Sequence, residues 1–137
     1  MEFTDEARLE LASAGLSTEQ IGRLAEGREV AFDFPSEIPV GIAIVQVLPD
    51  LLRCGIVEIN YPGGGLAALL TFRSRSFELA RILGIKRVEL FGMAVINPQL
   101  RELFVRQSFV ARMVPCPEDL GGGSEEVEIV AREFLLP

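Results

Sequence analysis

Histidine and tryptophan are absent from this sequence, and cysteine occurs only twice. Without histidine the chain cannot build a Ser-His-Asp triad, a Cys-His pair or a histidine-bearing zinc site from its own residues. Cys54 and Cys116 are too few for an all-cysteine zinc site or a disulfide framework, so no metal is expected and a reducing, cytoplasmic setting is the simpler one. Basic residues are also short: 13 Lys and Arg stand against 20 Asp and Glu, a net charge of −7. A nucleic-acid binder normally carries the opposite excess, so none is expected as partner. Pro, Asp or Arg interrupts the longest apolar runs before they reach membrane-spanning length. The opening Met1-Glu2-Phe3-Thr4-Asp5-Glu6 is acidic and no signal-peptide core follows it. Any catalysis must use carboxylates, hydroxyls, a thiol, backbone dipoles or a bound cofactor.

What is present suits one folded unit. Hydrophobic residues make up 49% of 137 positions, enough for a buried core in a single domain over 1–137 of α/β or α+β class. Residues 4–26 read as two short helices. Thr4 caps the first and Gly15 ends it. Ser17 caps the second, with Gln20 completing a capping box, and Gly27 closes it. The stretch 14–24 is superficially similar to the opening of a helix-turn-helix, but residues 29–34 then alternate as a strand instead of forming a basic helix.

Strands follow at 40–48 and 55–60, separated by a turn around Pro49-Asp50 and close enough to pair as an antiparallel hairpin. The loop Tyr61-Pro62-Gly63-Gly64-Gly65 leads into a long helix from about Leu66 to Leu83, stopped by Gly84. A strand is expected at 87–96, with Gly92 as a bulge or close-approach point. Asn97 and Pro98 open a helix running to about Gln107. Residues 109–114 form a strand, 115–124 a glycine-bearing loop, and 125–134 a final strand.

The segment Asn60-x-x-Gly63-x-Gly65 places glycines ahead of a helix start. Unpaired N–H groups and the positive dipole end gather there, and glycine lets an anion approach the backbone. It is not a P-loop, since no Lys-Ser/Thr follows, and the G-x-G-x-x-G spacing is absent, with Ala68 in the third place.

From Asn60 to Phe109 the chain resembles the core of the GNAT superfamily of acetyl-CoA-dependent N-acetyltransferases. Asn60, Gly63 and Gly65 stand at the three positions of its Gln/Arg-x-x-Gly-x-Gly/Ala loop. Leu83 to Leu90 looks like its helix exit, and Asn97 through Phe109 follows its last motif in spacing. The resemblance implies a central mixed, mostly antiparallel sheet flanked by helices, splayed at its centre with acetyl-CoA in the gap. The pyrophosphate would lie on the N–H groups of Gly63, Gly64, Gly65 and Leu66. The pantetheine arm would pair like a strand with residues near 56–60, Ile59 and Asn60 among them, and Asn97 belongs to the same cofactor set. An amine, small molecule or peptide, would be the acceptor.

Four departures stand out. Asn60 replaces Gln or Arg, Phe104 takes the place of a frequent tyrosine acid, Ser108 replaces a glycine, and two helices precede the sheet where a strand is usual. The alternative to an enzyme is therefore a binding module that keeps the fold without transferase activity. Glu58 is the candidate general base, or simply a solvent-facing strand residue. Tyr61, the only tyrosine, is the candidate proton donor to the thiolate, or a turn residue packed on the surface. Cys54 and Cys116 read as small hydrophobes, because no histidine exists to activate a thiol. Arg73, Arg75 and Arg81 could meet a phosphate or simply solvate a helix, and Glu125, Glu126 and Glu128 could attract a cationic amine or line a solvated strand. The apolar composition of so short a chain is compatible with a homodimer.

Overall fold

A computed structural model describes residues 2–33, 42–57, 65–93, 98–116, 122–123 and 125–137. Two helices come first, α1 (Asp5–Ser13) and α2 (Thr18–Ala25). Thr4 Oγ1 accepts the Ala7 N–H at 3.1 Å. Ser17 Oγ accepts the Gln20 N–H at 3.1 Å while Gln20 Oε1 accepts the Ser17 N–H at 2.8 Å, which is the reciprocal capping box expected from the sequence. Gln20 Nε2 also donates to the Ala31 carbonyl at 3.3 Å, tying this helix start to the sheet. A strand follows α2, not a second helix.

Strands β1 (Val30–Asp33), β2 (Ile42–Leu48) and β3 (Leu51–Val57) form an antiparallel meander. β3 begins four residues earlier than its glycine and apolar pattern predicts. The two-residue connection Pro49-Asp50 lets Leu48 and Leu51 pair directly, so the ladder starts at the turn itself. Helix α3 (Gly65–Leu83) then crosses to β4 (Arg87–Met93), which lies parallel to β3. Helix α4 (Pro98–Arg106), β5 (Val110–Pro115) and β6 (Glu126–Leu135) complete the described elements. The strand order is β1-β2-β3-β4-β6-β5, with β3–β4 the one parallel pair among the described strands. This is the mixed, mostly antiparallel sheet that the resemblance implies, preceded by the two helices expected from the capping residues.

One expectation changes. Gly92 is no bulge: Ile56, Gly92 and Val130 face one another in an unbroken register. β3 and β4 stay partnered from Leu51–Arg87 to Val57–Met93, and the strand ends beyond them, where the splay is expected, lie outside the described residues.

The four described helices end alike. The N–H groups of Leu16, Arg28, Ile85 and Phe109 donate back to the carbonyls of Leu11, Arg23, Ala80 and Phe104 at 2.9–3.2 Å. Each such turn needs one residue at positive φ. Gly15, Gly27 and Gly84 supply it, and at α4 Ser108 does so at φ 65°. Ser108 thus takes a backbone conformation that glycine adopts at the other three helix ends.

The side chains that hold the fold sort by strand face. Val45, Leu52, Ile56 and Leu90 meet Leu11, Leu24, Phe72 and Phe104 of the helices in one cluster to which all four helices contribute. Full burial of each such side chain stabilises by about 1.5–3 kcal/mol. The opposite face holds a smaller cluster, Ile44, Phe91, Met93 and Ile129, made of strand residues alone.

Candidate functional site

The parallel pair locates one end of the site. In open sheets, ligands gather beyond the carboxyl ends of parallel strands, where crossover helices begin. Here β3 ends at Val57, β4 at Met93, and α3 starts at Gly65. Gly65 and Leu66 are the first two residues of α3, and its first turn carries no acidic side chain to occupy the positive end of the helix. Ile59, Asn60, Gly63, Gly64 and Asn97, with the catalytic candidates Glu58 and Tyr61, lie outside the described residues.

Phe104 is placed clearly. It is fully buried and stacks edge-on against Phe109, with centroids 4.9 Å apart. It is a core residue at the closing turn of α4. Cys54 is buried as well, and burial pushes its thiol up to about 12, against a weaker opposing effect of the Ser76 hydroxyl. Both facts agree with reading Cys54 as a small hydrophobe. Cys116 is half-buried. Arg75 pairs with Glu78 at 3.4 Å on the exposed face of α3. Glu128 is engaged by Arg101 of α4, whose hydrogen bond holds its carboxyl below the ordinary range. Glu125 and Glu126 are exposed.

The sheet face that the helices leave uncovered carries a cavity of about 430 Å3, walled in part by Glu29, Gln46, Arg53, Phe91, Met93 and Arg112. Its floor is a charged lattice. Glu89, only 8% exposed on β4, accepts from Arg53 Nε at 3.0 Å and from Arg112 Nη2 at 2.7 Å, both through Oε1. Arg53 Nη1 donates to Gln46 Oε1 at 3.0 Å, and Gln46 Nε2 donates to the Gly27 carbonyl at 3.0 Å. The Arg53 guanidinium lies 5.1 Å from the centroid of the Phe91 ring. Two guanidiniums share the Glu89 carboxylate, and each keeps part of its donor set. Glu29, before β1, comes within 4.0 Å of Arg53, and its second oxygen, Oε2, is buried without a hydrogen-bond donor.

The sequence pattern does not single these residues out. The polar ones, Glu29, Gln46, Arg53, Glu89 and Arg112, each come from a different strand or loop, and each is ordinary by itself. One signal was available: Glu89 interrupts the apolar run Val88-Glu89-Leu90-Phe91, and a charge buried in a strand needs partners. Among the described residues, no group of three or more Asp, Glu or Cys side chains could hold a metal ion, and no helix is long and apolar enough to cross a membrane.

No protein-family model matches the chain, and no curated protein matches it by sequence. Similar solved structures do exist. One named as an acetyltransferase of Agrobacterium tumefaciens is 17% identical, with 99% of this chain and 97% of that one covered and a TM-score of 0.42. A GNAT family acetyltransferase from Elizabethkingia anophelis with acetyl-CoA bound is 13% identical, covering 90% and 88%, with a TM-score of 0.37. A third, also named as an acetyltransferase, is 14% identical over 85% of this chain and 68% of its own, with a TM-score of 0.43. Likeness at this level says nothing about activity, which has to be read from the chain's own residues.

Proposed function

We propose that the chain transfers an acetyl group from acetyl-CoA to an amine. The observation that carries this reading is the β3–α3–β4 unit: one parallel crossover in an otherwise antiparallel sheet, whose helix opens on glycine with no acid in its first turn. The residues present fit the cofactor in that respect, because a phosphate needs open N–H groups and no competing carboxylate. Acetyl-CoA, when bound, supplies the activated acetyl group. The N–H groups of Gly63, Gly64, Gly65 and Leu66 would hold its pyrophosphate, and Ile59 and Asn60 would pair with its pantetheine arm. Asn97 would complete the cofactor set. Glu58 would take the amine proton and Tyr61 would return one to the departing thiolate. Histidine is not needed, since holding the two reactants together supplies much of the rate.

One observation favours a second reading, a module that keeps the fold and binds without turnover. Phe104 stands where a proton-donating tyrosine is frequent, and it is sealed in the core. Calorimetry with acetyl-CoA tests the cofactor site directly. Binding that is lost in Gly65→Glu is the expected result, since a carboxylate there would face the pyrophosphate. Absence of binding removes both the enzyme reading and any cofactor role. A thiol-release assay over a panel of amines then separates the transferase from the binding module.

A further inference from the structure

The cavity on the helix-free sheet face shows a pairing of needs. Among the described residues, Arg53 Nη2 and Arg112 Nη1 donate to nothing, although Glu89 fixes both guanidiniums in place. Glu29 lines the same cavity, its side chain 28% exposed, and it meets Arg53 only through a 4.0 Å ion pair at Oε1. The cavity therefore offers unused guanidinium donors beside a carboxylate that only a long ion pair engages. Between them the wall is apolar, with Ile44, Phe91, Met93 and Val114. A volume of about 430 Å3 lies toward the lower end of the range for small-molecule sites.

We infer that this cavity binds a free amino acid with an apolar side chain. The carboxylate sits on Arg53 and Arg112, the ammonium on Glu29, and the side chain on Phe91 and Met93. Two planar guanidiniums held by a shared partner suit a carboxylate, and a partly exposed carboxylate engaged only by a 4.0 Å ion pair suits an ammonium. The amino acid's role as acetyl acceptor rests on the acyl-transfer reading, whereas the binding itself does not. As acceptor, its amine would lose a proton and form the amide bond as the C–S bond of the thioester breaks, the free thiol taking up a proton.

The probes are leucine, isoamylamine, which lacks the carboxylate, and isocaproate, which lacks the amine. Calorimetry without acetyl-CoA should show leucine binding at least about tenfold tighter than either analogue. Cys116 lines the cavity while Cys54 is buried, so leucine should also slow maleimide labelling of Cys116. Glu29→Gln should weaken leucine about tenfold and leave isocaproate unchanged, and Arg112→Gln should weaken leucine but spare isoamylamine. Unchanged melting temperatures establish that both variants fold. Equal binding of all three probes overturns the inference, as does no heat and no protection at about 10 mM for leucine, valine, methionine and phenylalanine alike. Amino-acid binding without acetyl-CoA binding sustains the inference and removes the transfer reading. Turnover of plain amines with no amino-acid binding does the reverse.

Discussion

The Phe91 ring fills the space that a side chain on Gly55 would need. The two residues are direct partners across the parallel β3–β4 ladder, and an ideal Cβ on Gly55 would fall 2.1 Å from the Phe91 ring carbons. Phe91 is 3% exposed and has the Arg53 guanidinium above it, so the ring has little room to retreat. Gly55→Ala should therefore cost about 1–3 kcal/mol in urea denaturation, as overpacking does. Adding Phe91→Leu should recover part of that loss, because the two positions couple through one contact. Additive losses would show that the ring is not the obstacle.

Glu89 should matter more than any other charge on the sheet. Glu89→Gln keeps the shape but leaves the Arg53 and Arg112 guanidiniums to repel each other. Because Arg112 is half-exposed, the expected loss is about 2–3 kcal/mol, below that of a fully buried pair. Chemical denaturation reads it. A change within about 0.5 kcal/mol, the range of an ordinary surface substitution, would show that the lattice is not structural.

Ser108 occupies a glycine's conformation at φ 65°. Replacing it with glycine should raise stability by about 1 kcal/mol, by removing the steric penalty of a Cβ in the left-handed region. Ser108→Val should lower the thermal midpoint instead, since a β-branched side chain tolerates that region worst.

The Cys54 thiol gives a pH signature. Burial pushes it from its ordinary value of 9.0 to about 12, so the folded chain keeps a proton that the unfolded chain releases. Its contribution is complete below pH 9.0 and is lost as the pH rises toward 12. Cys54→Ala should start less stable, because it leaves a cavity, and should lose less across that alkaline window. Parallel stability curves for the two proteins would contradict this. In native protein near neutral pH, a maleimide should label Cys116 and spare Cys54.

Phe104→Tyr tests whether the missing acid can be restored. The side chain is fully buried against Phe109, so an added hydroxyl gains no water, and about 1–3 kcal/mol of stability should be lost. Acetyl transfer should not speed up. A faster variant would show that this position faces the reaction after all.

Local features were legible from the residues themselves. The Thr4 and Ser17 caps, the glycine helix ends and the Pro49-Asp50 hairpin depend on positions a few residues apart, and the structure forms them as read. The absence of a bulge at Gly92 and the need for glycine at Gly55 share one reason. A glycine's neighbour across a ladder cannot be named from one strand, and it was Phe91 that made Gly55 necessary.

The sequence by itself determined the element order, the residues sharing each strand face and the glycine-rich entrance to α3, because all three follow from short-range geometry. Only the tertiary structure decided that the helices gather on one face and that Arg53 meets Glu89 across 36 positions and Arg112 meets it across 23. Alternation sorts side chains into two faces, but strand order and register choose their neighbours. A charged cavity drawn from separate strands is therefore a property of the assembled sheet.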